Sequence, residues 1–247
     1  MPRPIQATLD IPALRHNLSQ IKVAAPDALV WAVVKANAYG HGIERIFEGL
    51  RAADGIALLD LSEAERVRQL GWRGPILLLE GAFETRDLEM CSRLNLWHVV
   101  HSEAQIDMLA VHKTHQPHRV FLKMNTGMNR LGFAPQAFRA AWTRLNALPQ
   151  VDEISLMSHF SDADGDKGIG AAMALFHQFT HDLSGERSLC NSAASLRHAN
   201  DVLVRADWIR PGIALYGSSP DYPHHSAQDW GLKPVMSLNA DIIAIQN

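Results

Sequence analysis

Short runs of apolar residues alternate along the chain with longer segments in which apolar positions recur at helical spacing. The runs occupy residues 28–36 (ALVWAVVKA), 55–60 (GIALLD), 75–81 (PILLLEG), 96–102 (LWHVVHS), 118–125 (HRVFLKMN), 151–160 (VDEISLMSHF), 188–192 (SLCNS) and 208–217 (WIRPGIALYG). Their nearly unbroken apolar character suits strands covered on both faces, as in a parallel sheet. Helical patterns fall between them at 62–70 (SEAERVRQL), 103–111 and 135–145. The first of these opens with Ser62 as the expected N-cap and Glu65 as its capping-box partner.

Eight strand-like runs, each followed by a helix or helical turn, predict an α/β fold, a closed (β/α)8 TIM barrel, with an open doubly wound sheet as the alternative. Residues 234–246 (PVMSLNADIIAIQ) break the rhythm, because partial alternation with no following helix predicts an exposed-face strand. The expected division is therefore a barrel over 1–230 and, over 231–247, the first strand of a truncated C-terminal β domain. Residues 217–230, rich in Ser, Pro, His and Asp, read as the connection.

Composition narrows the function. At 247 residues and 47% apolar, the chain can bury a full core. The 23 basic residues nearly balance the 26 acidic ones without clustering, so no nucleic-acid partner is expected. No apolar run reaches the roughly 20 residues that span a bilayer, and the N-terminus lacks the apolar core of a signal peptide, so no membrane partner and a cytoplasmic location are expected. Cys91 and Cys190 lie far apart with no metal-ligand spacing, which predicts neither disulfide nor zinc site. Of the 13 histidines, His112, His115, His118, His224 and His225 sit in polar stretches and are expected at the surface. No metal site is expected.

Active sites of such barrels lie at the C-terminal strand ends. Here those ends carry Lys35, Asp60, Glu80, His101, Lys123 with Asn125, His159, Asn191 with Ser192, and Arg210 with Gly212. Lys35 and Lys123 terminate apolar runs, where an unpaired ammonium is costly. Lys35 leads into ANAYGHG, a glycine-bearing loop, and reads either as an imine-forming nucleophile or as a lysine that snorkels to solvent.

The segment VVKANAYGHG (33–42) resembles the pyridoxal-phosphate (PLP) lysine signature of the alanine racemase family, with the catabolic form and the form that supplies D-alanine for peptidoglycan both open as readings. LKMNTGMNRLGF (122–133), MSHF (157–160), CNSAA (190–194) and WIRPGIALYG (208–217) resemble further family motifs in the family's order, so the resemblance covers nearly the whole chain. It implies a PLP enzyme interconverting L- and D-alanine. Lys35 would carry the cofactor and act as one of two bases, and Tyr39, Ser192, Gly212 and Ile213 would hold its phosphate. Arg210 would face the pyridine nitrogen, with His159 beside the ring and bonded to Arg210. Arg130 would meet the substrate carboxylate, and Lys123 stands where relatives carry a carbamylated lysine. For several of these a structural role is the alternative: Tyr39 as a loop aromatic, Ser192 as a helix N-cap, Arg210 as half of an ion pair, and His159 as a core residue.

The family's second base is a tyrosine of the C-terminal domain, reaching the partner's site in a head-to-tail homodimer. None of Tyr39, Tyr216 and Tyr222 sits in a segment resembling it, so little activity is expected of these residues alone. The alternatives are a non-enzymatic single-barrel PLP protein of PLP homeostasis, an amino-acid racemase of broader specificity, and an unrelated barrel with a Schiff-base lysine.

Overall fold

The computed structural model describes residues 4–246 except 115, 200, 202, 203, 205 and 206. Eight parallel strands close into a barrel: β2 (Leu29–Val33), β3 (Gly55–Leu58), β4 (Ile76–Leu78), β5 (Trp97–Val100), β6 (His118–Lys123), β7 (Val151–Met157), β8 (Arg187–Ser188) and β9 (Trp208–Ile209), with β9 pairing back to β2. The closed barrel expected from the eight runs is the architecture. The last two runs shorten to two-residue strands.

Alternation along each strand sorts the side chains. Trp31, Val33, Ala57, Leu77, Val99, Phe121, Met157 and Trp208 fill the barrel interior, while intervening residues such as Val30, Ala32, Ile56 and Leu122 join the outer core beneath the helices. Both faces of each strand are thus dry, which is why the runs read as continuously apolar. Trp31 stacks on Trp208 with centroids 4.2 Å apart and meets Trp97 edge-on at 5.5 Å. Room for it comes from Gly55, where a Cβ would stand 2.2 Å from the Trp31 ring.

Around the barrel lie helices Leu61–Gln69, Thr85–Arg93, Glu103–Val111, Pro135–Asn146, Gly170–Thr180 and Ser192–Arg197. The first begins one residue before the expected start. Its N-cap is Asp60, whose carboxylate accepts the Ser62 N–H at 2.7 Å, and not Ser62. Two elements had not been anticipated. Helix Ile11–Ala24 opens on Asp10, which accepts the Ala13 N–H at 2.9 Å, and has proline in its first turn. It packs on the 3-10 turn Ile213–Tyr216, where Asn17 Nδ2 donates to the Leu215 and Lys233 carbonyls. Strand β1 (Ile5–Leu9) pairs antiparallel with the exposed β10 (Met236–Ala240), so the chain's first strand belongs to the separate two-stranded sheet. Residues 217–230 fold into turns gathered by Asp221, which accepts from Trp230 Nε1 at 2.8 Å and pairs with His225 Nδ1 at 2.6 Å.

Cys91 and Cys190 are free and buried. Among the described residues no group of three or more His, Cys, Asp or Glu side chains is arranged to hold a metal, and no helix is long and apolar enough to cross a membrane.

The histidine expectation needs correction. His224 and His225 are exposed and His115 lies outside the described residues, but His112 and His118 are buried. His118 opens β6 with its ring 5.1 Å from that of His98 on the neighbouring β5 and 5.2 Å from that of His112, a buried cluster that sequence polarity did not reveal. Burial, reinforced by the neighbouring imidazoles, pushes His98 down to about 3 and His118 to about 4. Both folded values lie below the unfolded value, so the unfolded chain binds more protons and stability falls as pH drops from about 6.5 towards the folded values. At pH 5 each neutral histidine should cost about 2 kcal/mol relative to pH 7. Urea unfolding at the two pH values checks this, and a profile as steep in H98Q as in the wild type would assign the acid sensitivity elsewhere.

Candidate active site

At the C-terminal strand ends a cavity of about 270 Å3 gathers Lys35, Tyr39, Glu80, Lys123, Arg130, His159, Asn191, Ser192, Arg210, Gly212 and Ile213 in its lining. Every residue singled out for a cofactor or substrate role is therefore in one place. Of the other strand-end residues, Asp60 caps a helix, Asn125 accepts the Gly127 and Asn129 N–H groups within its own loop, and His101 Nε2 lies 3.0 Å from the Glu80 carbonyl. Those three are structural.

The strand–turn junction after β2 is unusual. Ala36, Asn37, Ala38 and Tyr39 all have φ between 53 and 57°, a left-handed helical turn made without glycine. Each such L-residue costs about 1–2 kcal/mol. Gly40 (φ 83°) and Gly42 (φ 87°) finish the turn in conformations that glycine adopts freely. The glycines of ANAYGHG thus end a strained turn, and a Cβ on Gly40 would meet nothing within 4 Å. The turn brings Lys35 Nζ to 5.9 Å from the Tyr39 ring centroid, on the cavity side.

Tyr39 is held from below and from the side. Its ring lies 4.8 Å from that of Tyr216, a residue with no expected role, whose hydroxyl donates to the Val33 carbonyl at 3.0 Å. Its hydroxyl reaches Gly212 so closely that a Cβ there would come within 2.2 Å. A side chain at position 212 would displace the Tyr39 hydroxyl from this place. Ser192 opens the helix Ser192–Arg197, but the N-cap is Asn191, whose Oδ1 accepts the Ala194 N–H at 3.0 Å. Ser192 Oγ instead accepts the Gly212 N–H at 2.9 Å and the Ala214 N–H at 3.3 Å, tying the β8 and β9 ends together. Ile213 begins a 3-10 turn, whose leading N–H groups have no acceptor within the turn.

Arg210 is 6% exposed and donates to Ser188 Oγ and the Ser158 carbonyl, both at 2.6 Å, and to the Leu189 carbonyl at 3.3 Å. All these acceptors are neutral. His159 Nδ1 lies 3.5 Å from Arg210 Nη2. Burial, then the charges of Arg210, Lys123, Arg130 and Lys35, pushes His159 down to about 3, so it is a neutral imidazole. Lys123, 8% exposed, is pushed down to about 8 by burial and then by Arg210 and Arg130, against the opposing pull of Glu80. Arg130 is exposed at the cavity rim. Four cationic side chains thus surround the cavity, and Glu80 and Asp164 are the carboxylates in its lining.

The chain is similar over nearly its whole length to known proteins. Residues 9–220 match the family model described as "Alanine racemase, N-terminal domain". The chain is 72% identical over 247 residues to an alanine racemase of Methylibium petroleiphilum, covering 100% of this chain and 67% of that one. It is 70% identical to that of a Polaromonas species, covering 100% and 68%. Among solved structures, the biosynthetic alanine racemase of Pseudomonas aeruginosa superposes with a TM-score of 0.90 at 42% identity, covering 96% of this chain and 66% of that one. The alanine racemase of Acinetobacter baumannii gives 0.91 at 33% identity, covering 98% and 68%. The chain spans about two thirds of the length of these relatives. A barrel whose strand ends collect these residues, matched over nearly its whole length, belongs to the alanine racemase family, and the family's N-terminal domain makes up most of it.

Proposed function

We propose that this chain is the PLP-binding part of an enzyme that interconverts L- and D-alanine. The observation that carries the reading is the cavity with Lys35, Lys123, Arg130 and Arg210 around it and two carboxylates in its lining, a charge pattern suited to a phosphate and a carboxylate together. The donor set fits the cofactor. The Tyr39 hydroxyl, the Ser192 hydroxyl, which accepts the Gly212 and Ala214 N–H groups and keeps its own proton to donate, and the Ile213 N–H would hold the phosphate, with Gly212 leaving room for its approach, and Lys35 would form the covalent link.

Bound PLP supplies an electron-withdrawing ring conjugated to the α-carbon of an attached amino acid. Arg210 can only donate, so if it met the cofactor's ring nitrogen it would keep that nitrogen unprotonated and the ring would withdraw electrons less strongly. That limits side reactions and leaves proton removal and return as the main course. His159 stays neutral and holds the Arg210 side, while Arg130 orients the substrate carboxylate. Exchange of the link to the substrate's amino group would release the Lys35 amine, which would then take or return the α-proton on its own face. On this reading the proton on the other face belongs to a tyrosine of a C-terminal β domain, supplied by the partner in a cytoplasmic head-to-tail homodimer. The division at residue 230 belongs to the same proposal.

The test is to incubate the purified chain with PLP, reduce with borohydride and map the adduct by peptide mass. Lys123, with its lowered affinity for a proton, is the other amine in the cavity able to capture an aldehyde. A pyridoxyl group on Lys35 supports the proposal. Modification of Lys123 alone, or of neither, overturns it.

Lys123 has a second expected property. With three cations near it and a neutral amine populated around pH 8, it should react with CO2 to give a carbamate, converting repulsion from Arg130 into attraction. Carbon-13 NMR of protein equilibrated with labelled bicarbonate should show a carbamate at pH 8 that is about tenfold weaker or more at pH 6 and absent in K123A. An equal signal in K123A would place the carbamate elsewhere.

A further inference from the structure

The left-handed turn that carries Lys35 and Tyr39 needs an external hold, because four consecutive L-residues with positive φ persist only where their surroundings over-determine them. Within the turn, Ala38 N–H donates to the Val34 carbonyl at 2.7 Å and Gly40 N–H to the Ala36 carbonyl at 3.1 Å. Asn37 is tied at its far side, where its Oδ1 accepts the Ile43 N–H at 3.1 Å and its carbonyl accepts the Gly42 N–H at 2.9 Å. Two contacts come from another element: Arg66 Nη2 lies 3.5 Å from Asn37 Oδ1, and a much shorter bond is made by Glu63. The Asn37 N–H donates to Glu63 Oε1 at 2.6 Å, 26 residues away on the first turn of helix Leu61–Gln69.

Glu63 is an expensive residue to keep there. It is 7% exposed, its Oε2 is buried with no hydrogen-bond partner among the described residues, and burial pushes its carboxyl above the usual range. The nearby Arg66 does little to offset this, lying 4.0 Å from Oε1 and donating to Glu44 at 2.9 Å. A packed apolar side chain would cost less at this position, were it not for the Asn37 N–H.

We infer that Glu63 is a positioning residue: its carboxyl oxygen, on the Asn37 N–H, fixes the left-handed turn and with it the relative placement of Lys35 and Tyr39. Its effect on the cofactor rests on the PLP reading above. The hold on the turn does not, and it can be measured without cofactor.

Two conservative variants separate reach from charge. E63Q keeps the side-chain length and an oxygen acceptor; E63D keeps the charge and withdraws the oxygen by one methylene. The first readout is deuterium uptake, without PLP, of the peptide covering residues 34–43, against peptides from the rest of the barrel. The second is PLP affinity from absorbance titration. Loss of this short bond predicts at least about tenfold faster exchange in that peptide and about tenfold weaker PLP binding for E63D, with E63Q, which keeps the acceptor in reach, within about threefold of the wild type on both. The reverse ranking would show that charge and not reach matters, and uniform loosening of the whole barrel would show a general structural role; either overturns the inference. If none of the three proteins binds PLP, the cofactor reading fails, and the exchange pattern still decides whether Glu63 holds the turn.

Discussion

Lys35→Ala should abolish covalent capture of PLP and, where the second domain is present, lower alanine racemisation by more than about 10^3-fold, because one side chain serves as both attachment point and proton carrier. The loss should be one of chemistry and not of folding. Lys35 is half-buried at a strand end, and Val33 and Val34 before it are tied by backbone bonds to Pro211 and Ala57 that the substitution leaves intact. Removing a cation from a cavity that also holds Lys123, Arg130 and Arg210 relieves repulsion. Thermal melting of the apo protein should therefore shift little, while the borohydride-fixed adduct disappears from residues 33–42. An adduct of undiminished yield on Lys123 in K35A would move the covalent role to the other lysine.

Trp31→Ala should cost about 3–5 kcal/mol, a large share of the roughly 5–15 kcal/mol that holds a domain together. Trp31 is fully buried at the centre of the barrel interior, stacked on Trp208 and in contact with Trp97 and Phe121. The eight strands around it cannot collapse inward without breaking ladder hydrogen bonds, so the cavity would stay open. Among the described residues its Nε1 has no hydrogen-bond partner, so the truncation breaks no hydrogen bond and removes a desolvated donor, which places the expectation toward the lower part of that range. Urea denaturation followed by circular dichroism checks the magnitude. A change below about 1 kcal/mol would mean that the interior repacks around the void.

Much of this architecture was legible in the sequence. Barrel strands are dry on both faces, so each left an unbroken apolar run, and the reactive residues that end those runs were bound to share one end of the barrel. The motifs beginning at Val33 and Trp208 then named the family, and the closed barrel and the relatives agree with it. Strand β1 was passed over although Ile5, Ala7 and Leu9 alternate with Gln6 and Thr8, because it lacks the unbroken apolar run of the barrel strands, and it becomes a strand only by pairing with β10, more than 200 residues away. Helix Ile11–Ala24 did leave a signal, an aspartate followed by proline at its start, which the strand-centred pattern passed over.

The finer details belong to the tertiary structure. ANAYGHG shows two glycines, but nothing local shows that four non-glycine residues will turn left-handed, since each alone prefers otherwise and only the packed surroundings hold them there. Polar spacing placed His112 and His118 at the surface, and neighbouring strands and loops buried them. Glu63 lay within an ordinary amphipathic helix pattern, and its bond to Asn37 exists only because the barrel sets adjacent strands and their following turns side by side. The sequence by itself determined what is periodic and what is chemically reactive, because those depend on residue type and spacing. Desolvation, backbone strain and the pairing of distant polar groups were decided by the closed barrel, because each depends on what the rest of the chain places around a residue.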